Sequence, residues 1–156
     1  MNIDRIDQKI ISLLERNSRL SFAELAEQVG LSKTPCWKRV KALEDAGVIR
    51  GYGLVVDPAK MGFGLEAFVQ VTISPESYAA FEAAVARHPL IRRCHATTGE
   101  DDYLLQIIAA DMTELDRLLR KEIACLPGVR RTVTSMITRE IKTTTSLVDA
   151  LAQAAS

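Results

Sequence analysis

Cysteine is scarce in this chain of 156 residues: Cys36, Cys94 and Cys125 are an odd number, widely spaced and without a CxxC pair. That argues against a disulfide framework and against a zinc site, and it suits a reducing cytoplasm. Long apolar runs are also lacking. The longest, such as Ile107 to Ala110, fall far short of the roughly 20 residues needed to cross a bilayer. The opening Met1-Asn2-Ile3-Asp4-Arg5 has no basic stretch leading into an apolar core, so no secretory signal is expected. Neither GxGxxG nor a P-loop occurs, and there is no repeat or low-complexity tract. His88 and His95 lie apart across Pro89 with no Cys or Asp placed to complete a metal site, and no spacing suggests a Ser-His-Asp triad. No catalytic residue, metal or cofactor is therefore expected.

Net charge is lacking too. Twenty basic and twenty acidic residues cancel, so no bulk field steers the molecule toward nucleic acid or membrane. The cancellation is uneven along the chain. Residues 31–50 carry Lys33, Lys38, Arg39, Lys41 and Arg50 against only Glu44 and Asp45, while residues 54–156 are slightly acidic.

Hydrophobic spacing reads residues 1–50 as three helices. Ile3, Ile6, Ile10, Leu13 and Leu14 recur at helical intervals, with Asp4 and Asp7 in the first turn, where the dipole favours them. Ser21-Phe22-Ala23-Glu24 is a capping box opening a second helix that Gly30 closes. Thr34-Pro35 opens a third helix, expected to stop at Gly47. Two helices joined by Gly30-Leu31-Ser32 make a helix-turn-helix candidate at about residues 22–41. Residues 48–56 are extended in character and read as a small wing leading into a linker strand, and the glycine-rich stretch near Gly62 marks a domain boundary.

Beyond that boundary the expected order is strand (65–73), helix, strand (91–98), strand (103–109), helix, strand (130–139), with a short terminal helix at 146–155. This is a ferredoxin-like βαββαβ unit. The expected class is α+β: an N-terminal winged helix-turn-helix domain (1–60), then a ferredoxin-like domain (61–156).

Five stretches stand out: Asp4-Arg5-Ile6-Asp7; the run from Gly30 to Val40; Gly47 to Tyr52; Cys94-His95 with Gly99-Glu100-Asp101-Asp102-Tyr103-Leu104-Leu105; and Leu126-Pro127-Gly128-Val129. Together they resemble the Lrp/AsnC family of amino-acid-responsive regulators, which implies that the ferredoxin-like domain is a ligand-sensing and oligomerisation domain. The likeness covers nearly the whole chain in order.

The third helix bears on that likeness. At about 100° per residue, Cys36, Val40 and Leu43 share one side, Thr34, Trp37, Lys38 and Lys41 the other, and Arg39 the flank. This suits a recognition helix in a major groove, with lysines on phosphates and Ser32, Lys33, Thr34 and Pro35 at its start, where free amides can meet a phosphate. Charge pattern alone would equally describe a solvated basic face with a half-buried tryptophan. Specificity for duplex DNA then needs two modules on two half-sites, hence a homodimer, for which strand 65–73 and its neighbours offer an apolar sheet face. The resemblance implies assembly of dimers into an octamer.

The loop from Thr97 to Tyr103 is on its residues alone most simply a polar turn between strands. The resemblance implies that it helps form an amino-acid effector pocket between neighbouring dimers, from Thr98, Gly99, Glu100 and Asp102, with Asp102 at the family's acidic position. Met112, Thr134, Ser135 and Met136 match further positions tied to the effector response, and Ser135 stands where some relatives carry an aromatic ring. Two other functions stay open: a nucleoid-organising protein that binds DNA without an effector, and a tetrapyrrole-processing decarboxylase, since some such enzymes resemble the fold.

Overall fold

The computed structural model describes residues 3–144 and 146–154. The chain divides into two compact units.

The first unit opens with helix α1, Arg5–Arg16, because Asp4 is its N-cap: its carboxylate accepts from the Ile6 and Asp7 amides, and Asp7 accepts the Asp4 amide in return. Helix α2, Phe22–Val29, carries the expected capping box. Ser21 Oγ accepts the Glu24 amide at 3.3 Å, and Glu24 accepts the Ser21 amide at 2.8 Å. Gly30 follows at φ 73, the left-handed conformation that glycine adopts without steric cost. Helix α3, Lys33–Asp45, begins one residue earlier than the Thr34-Pro35 signal suggests. Ile10, Leu25, Ala26, Val29, Cys36, Val40 and Leu43 form the shared core.

Beyond α3 the Val48 and Ile49 amides both turn back onto the Leu43 carbonyl. Residues 50–56 form no helix or strand and join no sheet among the described residues, and Leu54 and Val55 are 89% and 96% exposed.

The second unit contains the strands β1 (Leu65–Ile73), β2 (Ile91–Ala96), β3 (Tyr103–Ala109) and β4 (Val129–Met136), with helices α4 (Tyr78–Val85) and α5 (Met112–Lys121) in the crossovers. The sheet is antiparallel in the order β2-β3-β1-β4, so the ferredoxin-like topology is present. One sheet face is buried under α4 and α5. Ala67, Val69, Val71 and Ile73 meet Phe81, Val85, Leu115 and Leu118 there, and each large side chain removed from water contributes about 1.5–3 kcal/mol.

Two expectations need correcting. The apolar face of β1, expected to pair protomers, is already covered by the chain's own helices, and the outer face is mixed, with Glu66, Phe68, Gln70 and Thr72. Residues 141–156, expected in the second domain, group with the first unit. Helix α6, Leu147–Ala154, packs on α1, where Glu15 accepts from Ser146 Oγ at 2.5 Å and from the Leu147 amide at 3.2 Å. The last residue expected in that helix, Ala155, lies outside the described residues.

Candidate functional site

Helix α3 owes its orientation to Cys36, Val40 and Leu43, all fully buried. Opposite them lie Lys33, Thr34, Trp37, Lys38 and Lys41, with the Trp37 ring 47% exposed. Lys33 and Lys38 make no ion pair among the described residues, whereas Lys41 leans back onto Asp45 at 2.8 Å and Glu44 at 3.9 Å. Hydrogen bonding to Asp45 raises the Lys41 pKa above its ordinary value. Ser32 is the N-cap residue, but its side chain makes no cap bond. The Lys33 and Thr34 amides are left without an intrahelical acceptor, and Pro35 has no amide to orphan. The start of α3 is thus an exposed, electropositive corner.

Arg39 does not belong to this face. Its Nη1 donates to Asp4 at 2.8 Å and to Asp7 at 2.7 Å, tying α3 to the first turn of α1. The Asp7 and Asp4 bonds hold the guanidinium protonated still more firmly. The Asp4 carboxyl is kept below its ordinary range, first by the Asp7 amide and then by Arg39. Placing Arg39 among the DNA contacts from its wheel position misses this, because the partners sit some thirty residues upstream. Tyr52 was also missed: its hydroxyl donates to Glu44 at 3.0 Å, and burial together with that carboxylate pushes the phenol up to about 12.

In the second unit a cavity of about 350 Å³ is lined by Gln70, Thr97, Thr98, Glu100, Asp101 and Leu104. The 97–102 turn is pinned by Thr97, whose amide meets the Asp102 carbonyl and whose hydroxyl donates to the Asp101 carbonyl. Asp101 Oδ1 accepts from Thr72 Oγ1 at 2.8 Å and faces Arg131 at 3.7 Å. A larger, mostly apolar groove of about 620 Å³ lies in the first unit between α1, residues 48–55 and α6.

The structure does not gather the eight expected effector residues in one place. Thr98 and Glu100 line the cavity, and Gly99 turns the loop between them at φ 135. Asp102 is engaged elsewhere: one carboxylate oxygen accepts the Ile73 amide at 2.8 Å and the other the Tyr78 hydroxyl at 3.3 Å. Burial and that carboxylate raise the Tyr78 pKa. Met112, 57% exposed, starts α5 beyond the far end of β3. At about 3.3 Å per residue, the seven-residue strand puts it roughly 20 Å or more from Asp102. Thr134, Ser135 and Met136 pair with Val69, Phe68 and Ala67 on β4. Asp101, Gln70 and Leu104 were missed. The signal for Gln70 was there, since with Glu66 and Thr72 it forms the polar phase of an otherwise apolar strand.

Residues 66–147 match the family model of the Lrp/AsnC ligand-binding domain, and residues 3–50 that of a winged helix-turn-helix DNA-binding domain. The chain belongs to the Lrp/AsnC family. The helix face lies inside the second match and the cavity inside the first. This Lrp/AsnC protein is therefore a DNA-binding transcriptional regulator with a ligand-binding domain. It is 39% identical over 148 residues to the DNA-binding transcriptional activator DecR of Escherichia coli, covering 93% of this chain and 97% of that one. It is 40% identical over 149 residues to the leucine-responsive regulatory protein of Haemophilus influenzae, with 94% and 90% covered. A Neisseria meningitidis transcriptional regulator, solved as a complex with L-Met, superposes at TM-score 0.89 with 39% identity, covering 93% of this chain and 96% of that one. All three of these relatives are regulators. No helix among the described residues of the Lrp/AsnC chain is long and apolar enough to cross a membrane.

Proposed function

We propose that this regulator is a cytoplasmic, non-catalytic sensor of a free amino acid that reads duplex DNA through the outward face of α3. The observation that carries the reading is that face: Lys33 and Lys38, with no ion pair among the described residues, beside an exposed Trp37 in a chain with no net charge. In this reading Thr34 and Trp37 meet base edges or the sugar-phosphate wall, while Lys33, Lys38 and Lys41 meet phosphates and the free amides beside Ser32 and Pro35 receive another phosphate oxygen. One such module binds weakly, so two copies on two half-sites are required.

The effector enters at the 97–102 turn. A single chain scatters Asp102, Met112 and Met136, which supports a pocket completed by a second copy and hence a homodimer that assembles further, up to an octamer. The likeness to a regulator solved with L-Met supports an amino acid as the effector. Regulation is then linkage: the effector favours one assembly or domain arrangement, and its influence on DNA cannot exceed its differential affinity for the two states.

Footprinting of the full chain on DNA upstream of its own gene, with and without each of the twenty amino acids, tests this. Protection of spaced half-sites that one or a few amino acids alter supports it. Protection that no amino acid alters leaves a DNA organiser instead.

A further inference from the structure

Helix α3 is short of the side chains that read base pairs through paired hydrogen bonds. Its residues, Lys33–Asp45, include no asparagine or glutamine. Its single arginine, Arg39, is held by Asp4 and Asp7. Its two carboxylates lie at the far end, Glu44 under the Tyr52 hydroxyl at 3.0 Å and Asp45 on Lys41 at 2.8 Å. The fork of an arginine on guanine and of an amide side chain on adenine is therefore closed to this helix. The carboxylates also repel phosphates, whereas Lys33 and Lys38 make no ion pair among the described residues. The N-terminal half of α3 is the half that suits a groove.

What that half offers instead is apolar surface. Trp37 stands one turn in, with Lys33 and Thr34 before it and Lys38 and Lys41 after, and nearly half of it is exposed. Its ring stacks on no other ring, and its Nε1–H donates to nothing among the described residues. An indole has one donor and no acceptor, so it cannot make a donor-and-acceptor pair with a base edge. The base feature that an apolar side chain distinguishes in the major groove is the C5 methyl group of thymine. The lysines beside Trp37 are compact point charges that suit phosphates and fix register. The buried Cys36, Val40 and Leu43 fix the rotation of the helix, so the ring is presented by a rigid element.

On the reading of α3 as the recognition helix, we propose that Trp37 is its specificity-determining residue and selects thymine by packing its ring on the C5 methyl group, one thymine in each half-site. The probe is a duplex of the DNA upstream of its own gene, compared with the same duplex carrying uracil in place of thymine, first throughout and then one position at a time. Uracil removes the methyl group and keeps the base pair. Fluorescence anisotropy at one salt concentration gives the affinity of the full chain and of Trp37→Ala for each duplex. Burial of one methyl group corresponds to about fourfold in affinity, so the wild type is expected to bind the thymine duplex roughly tenfold more tightly over two half-sites. The loss is expected to fall on one thymine in each half-site, and at those positions the ratio falls to near one in Trp37→Ala. An effect of the methyl groups on duplex bending spreads over many positions and persists in the variant, so it does not imitate this pattern. Each comparison is a ratio within one preparation, so a partial loss of folded protein does not imitate it either. Equal affinity of the wild type for the thymine and uracil duplexes overturns the proposal while leaving α3 as the DNA-binding face. So does a preference spread over many thymines, or one that Trp37→Ala keeps. Failure of the wild type to bind either duplex overturns both.

Discussion

Arg39 donates to Asp7 across 2.7 Å, joining the middle of α3 to the first turn of α1 through a carboxylate that is itself nearly buried. The same nitrogen reaches Asp4, the residue that caps α1, so one guanidinium serves both the helix start and the packing of the two helices. Arg39→Ala is expected to lower the unfolding midpoint of the first unit, because it leaves the Asp7 carboxylate without its cation. The pH dependence has a definite sign. The Asp4 carboxyl titrates below its unfolded value, so the stability it contributes is complete above about pH 4 and fades as pH falls through the folded pKa. Thermal unfolding of wild type and Arg39→Ala from pH 2 to pH 6 checks this, with the variant showing the shallower acid limb.

Gly128 sits at φ 74 just before β4, and a Cβ built there would lie 2.3 Å from that of Ser77. Gly128→Ala combines a left-handed backbone with a clash against a neighbouring turn. A loss of about 2 kcal/mol or more in the second unit is expected, read by urea unfolding.

Glu15 holds the start of α6 from α1. Glu15→Ala removes that cap and is expected to cost about 1 kcal/mol locally. In hydrogen exchange the amides of residues 147–150 should then exchange faster while those of the sheet in the second unit stay unchanged.

The three thiols differ in reach. Cys36 is fully buried and burial raises its pKa; burial, then the Glu82 carboxylate, does the same for the half-buried Cys94; Cys125 is exposed. A disulfide reagent at neutral pH should modify Cys125 first, Cys94 more slowly, and Cys36 only as the first unit unfolds. Rapid modification of Cys36 in the folded chain would contradict the core described for α3.

Local signals carried much of this in the sequence. The capping box at Ser21 and Glu24, the Gly30 stop and the wheel position of Trp37 depend only on neighbours within a turn or two, and the four strands follow from alternation. What the sequence concealed depends on distant partners. The ion pairs of Arg39 need the placement of α1. The turn from Asp102 toward Ile73 and Tyr78 needs the register of β1 against β3. The grouping of α6 with the first unit rests on a contact between Glu15 and Ser146 that no local pattern encodes. For the same reason only Thr98 and Glu100 of the eight candidate effector residues line the cavity, with Gly99 between them, and Asp101 beside them is not among the eight.

The salt dependence of DNA binding tests the central claim most directly. Fluorescence anisotropy of an upstream duplex, titrated with the full chain over a range of salt concentrations, gives a slope that counts the phosphates engaged. Lys38→Ala is expected to weaken binding to every sequence and to lower that slope by about one per bound module, while Arg39→Ala leaves the slope as in wild type. An unchanged slope and affinity in Lys38→Ala would mean that the exposed face of α3 is not the surface that holds the duplex.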